Sequence, residues 1–208
     1  MQDRLLDILL DIKAIHLSSD QPFSWASGWL SPIYCDNRKA LSSHEARQII
    51  CHSMHGLIAE RFSGVEGLVG VATGGIAMGA IVAHEMGLPF AYVRPKPKDH
   101  GLGNQIEGYV SPGQRVVVVE DLISTGGSSL SAVRALREAG LEVVGMVAIF
   151  TYAFPQAATA FEEAGVELHT ISSYPKLLAR LQATGQIDER KLAVLSEWRE
   201  KPEVWGRN

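Results

Sequence analysis

The spacing of apolar residues along the chain shifts repeatedly between helical and extended periods, and the shifts mark its elements. Leu5, Leu6, Leu9, Ile12 and Ile15 recur at helical spacing and predict a first helix. A second is predicted by Ala46, Ile49, Ile50, Met54, Leu57 and Ile58, with Ser42 and Glu45 at capping-box spacing ahead of it. Segments 67–72, 90–93, 116–119, 142–150 and 167–171 read as strands. The four consecutive valines at 116–119 are what burial on both faces of a sheet selects. Helical patterns at 76–86, 128–139, 155–164, 174–183 and 188–200 alternate with them. Gly140 suits the end of the second of these strand-following helices, and Pro155 suits the first turn of the next. Alternation of this kind predicts an α/β fold: a parallel central sheet, right-handed crossovers and flanking helices. Ligands in such sheets bind beyond the carboxyl ends of the strands.

Length and charge narrow the class. A chain of 208 residues can bury one sizeable core, so residues 1–208 are expected to form a single domain. Hydrophobic residues at 46% and charged residues at 20% describe a soluble globular protein. A net charge of −4 argues against a nucleic-acid partner, which selects basic surfaces. No apolar run approaches the roughly eighteen residues of a membrane span. The N-terminus is acidic and amphipathic, with no small-residue cleavage site after an apolar core. A cytoplasmic location is therefore expected, in keeping with two cysteines, Cys35 and Cys51, that have neither metal nor redox spacing. His44, His52 and His55 share one helix without facing geometry for a metal, and no protein metal ligands are assigned.

The chemistry concentrates at 115–129, RVVVVEDLISTGGSS. Two adjacent acids, Glu120 and Asp121, stand where the valine strand is expected to end. Leu122 and Ile123 lead from them to Ser124, Thr125, Gly126, Gly127 and Ser128, small and hydroxylated, at the start of a helix. Backbone N–H groups at a helix start carry partial positive charge, so a phosphate docks there without a lysine. The acids need a different partner, and a pair of sugar hydroxyls, often with magnesium nearby, supplies one. A Gly-rich turn after a hydrophobic strand is common; an acid pair before it is not. The run is neither a P-loop, since no lysine follows the glycines, nor a dinucleotide fingerprint, since acids fill the first glycine's place.

Residues 94–108 carry Arg94, Lys96, Lys98 and His100 at alternate positions, then glycines at 101, 103 and 108. Basic runs are usually solvated connections, but cations spaced along a flexible arm also suit a lid that closes over a polyanion. A further turn, Thr73-Gly74-Gly75, follows the strand at 67–72 and falls on the same sheet edge as the acid pair.

The acid pair with its hydroxyl-glycine loop closely resembles the phosphoribosyl-pyrophosphate motif of the type I phosphoribosyltransferases. The resemblance implies that Glu120 and Asp121 bind ribose hydroxyls, that Ser124 to Ser128 wrap the 5-phosphate, and that Leu122 and Ile123 also meet phosphoribosyl pyrophosphate. The lid segment, with Arg94, Lys98, Asp99, His100 and Gly101, resembles the catalytic loop of the orotate phosphoribosyltransferases, though Pro95 stands where many members have a lysine. Ser27-Gly28 and Ser31-Pro32-Ile33-Tyr34 resemble that family's orotate-side segment and imply a small N-terminal hood over residues 1–40. Two of the family's cations are missing: Ala26 replaces a lysine, and 149–154 holds no arginine.

What the resemblance implies is transfer of ribose 5-phosphate from phosphoribosyl pyrophosphate to orotate in pyrimidine biosynthesis. Lys98, His100 and Asp121 would be catalytic, with Arg94 on the pyrophosphate and Ser124 also meeting orotate. Mg2+ would be bound mainly through pyrophosphate, and a homodimer would share the lid across its interface. The purine-type members share the phosphate loop, but the lid and hood segments argue against them. A phosphoribosyl-pyrophosphate-sensing regulator would need a DNA-binding module, and no basic helix-turn-helix precedes residue 20.

Overall fold

The computed structural model describes residues 1–18, 21–25, 27–96 and 105–206. Helix α1 (Gln2–Asp11) buries Leu5, Leu6, Ile8 and Leu9. It stops before the end of its apolar stripe: Ile12 is its C-cap, Lys13 turns the chain at φ +53°, and Ile15 opens a strand. That strand, β1 (Ile15–Leu17), pairs antiparallel with β4 (Ile33–Cys35), and a second small ribbon joins β2 (Phe23–Ser24) to β3 (Leu30–Ser31). These two ribbons form the hood. A 3-10 helix, Asn37–Ser42, leads to α2 (His44–Arg61). Ser43 rather than Ser42 caps α2, its Oγ accepting from Ala46 N at 3.2 Å. Glu45 turns instead to Arg4 on α1, at 2.7 Å.

The central sheet then assembles from β5 (Gly67–Val71), α3 (Gly74–Met86), β6 (Phe90–Val93), β7 (Ile106–Glu107), β8 (Arg115–Ile123), α4 (Gly127–Glu138), β9 (Glu142–Thr151), α5 (Pro155–Glu163) and β10 (Leu168–Ser173). Its order is β10-β9-β8-β5-β6-β7, parallel throughout except for β7, which runs antiparallel to β6. Helices α6 (Tyr174–Ala183) and α7 (Glu189–Glu200) complete the fold.

Strand alternation sorts the core into two layers. Val117 and Val119 of β8 face α1, α2, α3 and α6, whereas Val116 and Val118 face α4 and α5. No helix among the described residues is long and apolar enough to cross a membrane.

Two features place the ligand-binding edge. First, β8 outruns its neighbour: β5 pairs with it only as far as Gly70 opposite Val119, while β8 continues to Ile123 beside β9. Glu120 and Asp121 therefore lie inside a strand, not past its end. Second, α3 starts directly against β8. A Cβ on Gly75 would meet the Val119 carbonyl, and one on Gly74 would overlap the Asp121 carboxylate, so only glycines allow this approach.

Candidate active site

Adjacent residues of a strand point to opposite faces, and the two acids obey that rule. Asp121 turns toward Gly74 at the head of α3. Glu120 turns toward α4, where its Oε2 accepts the Ser129 hydroxyl at 2.9 Å and its Oε1 accepts the Asp121 N–H at 2.9 Å. Glu120 is only 5% exposed. Burial, and after it the neighbouring Asp121 charge, pushes its pKa up to about 8.

A polar cavity of about 340 Å³ opens at this edge. It is bordered by both acids, by Thr73 and Gly74, by Ser128, and by Asp36 and Arg38 beyond the hood. The Ala72–Thr73 peptide on its wall is cis. Asp36 accepts from Arg38 Nε at 2.6 Å, and this bond, ahead of the burial that opposes it, holds the Asp36 carboxyl below its usual range. At the far side of Ser128 a smaller recess of about 170 Å³ carries Arg94 and Gln105. Arg94 and Gln105 clasp each other: Arg94 N donates to the Gln105 carbonyl at 2.9 Å, and Gln105 Nε2 donates to the Arg94 carbonyl at 3.0 Å. With Tyr92 and Val93 paired to Glu107 and Ile106, both ends of the cationic segment are pinned as a two-strand stem. Arg94 Nη1 lies 3.7 Å from Glu107 Oε1, beyond hydrogen-bond range. Lys98, Asp99, His100 and Gly101 lie outside the described residues.

The loop after β8 runs to α4 through Gly126, which has φ +85°. Gly126 is the N-cap of α4, and no side chain caps the helix there. The N–H groups of the first turn are thus left to solvent or to an anion. Gly127 faces open space, and Thr125 and Ser128 are exposed beside it.

A second cavity, of about 370 Å³, adjoins the first; Cys35 and Leu122 border both. Its walls are aromatic. Trp25 lies 4.9 Å from Tyr152 and 6.4 Å from Trp29, centroid to centroid, and stands edge-on to Trp198 at 5.6 Å. Hydroxyls of Ser24, Ser27, Ser124 and Thr125 are set among these rings. Trp198 is wholly buried, and its Nε1 donates to the Leu30 carbonyl at 3.0 Å, so α7 holds the hood ribbon in place. Truncating a buried tryptophan typically costs about 3–5 kcal/mol.

Comparison with known proteins decides the family. The model of the phosphoribosyl transferase domain matches residues 41–166. An orotate phosphoribosyltransferase of Porphyromonas gingivalis is 52% identical over 95% of this chain and 94% of its own length. One from Bacteroides fragilis is 55% identical over 95% and 93%. The chain belongs to the orotate phosphoribosyltransferase family. Among solved structures, an orotate phosphoribosyltransferase from Aeropyrum pernix is 28% identical with a TM-score of 0.76, over 88% of this chain and 99% of that one. A Mycobacterium tuberculosis member, solved with 5-phospho-α-D-ribosyl 1-diphosphate, is 28% identical with a TM-score of 0.66, over 85% and 98%.

Within that family, the structure gathers Arg94, Glu120, Asp121 and the loop 122–128 along one edge, and it adds residues that sequence patterns did not single out. Asn37, Arg38 and Tyr152 come from segments far from the motif loop, so no local spacing announces them. The hood is also more than a cover: Trp25, Trp29 and Tyr34 line a cavity.

Proposed function

We infer that the chain transfers ribose 5-phosphate from 5-phosphoribosyl 1-pyrophosphate to N1 of orotate, giving orotidine 5-phosphate and pyrophosphate in pyrimidine biosynthesis. The observation that carries this reading is the junction of the two cavities at Cys35 and Leu122. A flat aromatic acid fits between the rings of the one, and a phosphorylated sugar fits along the acids and the helix start of the other. The bond that changes hands is then at the seam. N1 of orotate attacks the anomeric carbon as the carbon–oxygen bond to pyrophosphate breaks, with inversion, and the N1 proton passes to the departing pyrophosphate or to solvent.

The 5-phosphate rests on the first turn of α4, ringed by Ser124, Thr125, Gly126, Gly127 and Ser128. Asp121, with Glu120 behind it, accepts the ribose hydroxyls. Positive charge developing on the ribosyl ring is favoured beside the Asp121 carboxylate, and negative charge on the departing pyrophosphate is met by Arg94, Lys98 and His100. Alignment across the seam supplies much of the remainder. Ser124, Ser24, Ser27 and Thr125 offer neutral donors to the orotate carboxylate, in a cavity with no cation among its described lining residues.

Magnesium fits as an ion carried by the substrate. Asp121, on the wall of the polar cavity, would stand beside the ion. Its contribution when bound is to neutralise the leaving group while retaining several waters. The working unit is a homodimer whose lids cross between subunits.

The test is a direct assay. Orotate absorbance should fall on addition of phosphoribosyl pyrophosphate and magnesium, and hypoxanthine, adenine and uracil should not be consumed. An inert orotate mixture, or turnover of a purine, would overturn the assignment.

A further inference from the structure

We propose that Asn37 is a positioning residue for Asp121, fixing the ribose-binding carboxylate from the hood side of the site. The proposal rests on the functional reading above. At Asp121 the main chain is held by side chains. Its N–H donates to Glu120 Oε1, and its carbonyl accepts from Asn37 Nδ2 at 2.7 Å, across 84 positions of sequence. Asn37 is 1% exposed. A wholly buried amide is kept only where its hydrogen bonds are satisfied. Its other end is satisfied too: Oδ1 receives the Cys35 thiol at 3.3 Å.

The location gives the bond its meaning. Cys35 borders both cavities, and Asp36, which follows it, borders the polar one. The Asp121 carboxylate fits against Gly74 with no spare room, so a small shift of its backbone would press it into α3 or lift it off the sugar. Asn37 is thus the side-chain link between the segment that walls the base cavity and the strand that presents the acid. It touches no reacting atom; its effect passes through Asp121.

A double-mutant cycle tests this, since coupling appears only where one residue acts through the other. Asn37→Leu keeps the branching at Cγ, in a somewhat larger side chain, and removes the donor. In an otherwise native chain kcat should fall about tenfold or more, a single lost hydrogen bond to a held group being worth roughly that. The Michaelis constant for phosphoribosyl pyrophosphate should rise as kcat falls, and that for orotate should move less than threefold. In the Asp121→Asn background the same replacement should change kcat less than threefold, because the carboxylate it positions is already gone. An equal factor in both backgrounds would mean a general structural role and overturn the proposal, as would unchanged kcat in Asn37→Leu alone.

Should Asn37→Leu not fold, Asn37→Ser, whose hydroxyl falls short of the Asp121 carbonyl, runs the same cycle with the same criteria. The cycle is also read as phosphoribosyl-pyrophosphate affinity by calorimetry, with a smaller loss expected in the Asp121→Asn background. That reading decides the matter even if the native chain fails to turn over orotate, an outcome that counts against the functional reading alone.

Discussion

Glu120 sits between two donors, the Asp121 N–H and the Ser129 hydroxyl, where little water reaches it. Burial raises its pKa to about 8, from an ordinary value of 4.5. The sign of the consequence follows from proton counting. Below pH 4.5 the group is protonated in both states. Between 4.5 and 8 the native state holds a proton that the unfolded chain has released, so stability falls as pH rises, and the loss is complete above 8. Glu120→Gln keeps the shape and cannot ionise. Its melting temperature relative to the native chain should therefore climb between pH 5 and pH 9, by several degrees, given roughly 2–4 °C per kcal/mol at this size. Scanning calorimetry across that range checks it; a constant gap would mean that Glu120 is ionised throughout. The acid pair was plain in the sequence, but the division of labour was not. It depends on the strand continuing to Ile123, and a strand's end is hard to place when polar residues inside it are functional.

At the level of elements, the two glycines of the proposed phosphate loop should separate stability from binding. Gly126 has φ +85°, and a Cβ there would come within 2.8 Å of Phe161. Gly126→Ala should cost about 1–3 kcal/mol of stability, from the strained backbone and the crowded ring. Gly127 opens the helix facing empty space. Gly127→Val should leave thermal stability nearly unchanged yet place its methyl groups where the phosphate docks. Calorimetric titration with phosphoribosyl pyrophosphate distinguishes the two, and full affinity in Gly127→Val would remove the cradle from α4. The long elements were legible because each alternates cleanly between helical and extended spacing. The strands of the hood were not, since β1 to β4 are two or three residues each, too short for any period to register, and the hood itself was expected only from a resemblance. The apolar stripe through Ile12 and Ile15 misled for a related reason: both face the core, one from a turn and the other from a strand. Ser42 and Ser43 are chemically equivalent caps, and only the geometry of the preceding 3-10 helix chooses between them.

Taken as a whole, the molecule sets the proposed phosphate loop at the end of a central strand and both ends of its cationic segment on the strands at the sheet's edge. If lid and loop meet across a dimer, Lys98→Ala and Asp121→Asn damage different halves of one composite site. Each homodimer should be nearly inactive. Subunit exchange should restore turnover toward half per heterodimer, because one site then carries both lesions and the other neither. Heterodimers confirmed by mass spectrometry without recovered turnover would leave each lid serving its own chain. The far end of the chain matters to the near end as well, through Trp198 and the Leu30 carbonyl. The ring cluster that this bond secures has an optical consequence. Two of the protein's four tryptophans, Trp25 and Trp29, line the aromatic cavity, and a third touches Trp25. Indole emission is sensitive to what stacks on it, so the enzyme carries a built-in fluorophore at the proposed base site. Orotate should quench that emission in a saturable way once its own absorption is corrected for, Trp25→Phe should lose most of the response, and inorganic phosphate should produce none; occupancy of the two halves of the site can then be followed separately, by light, without a label.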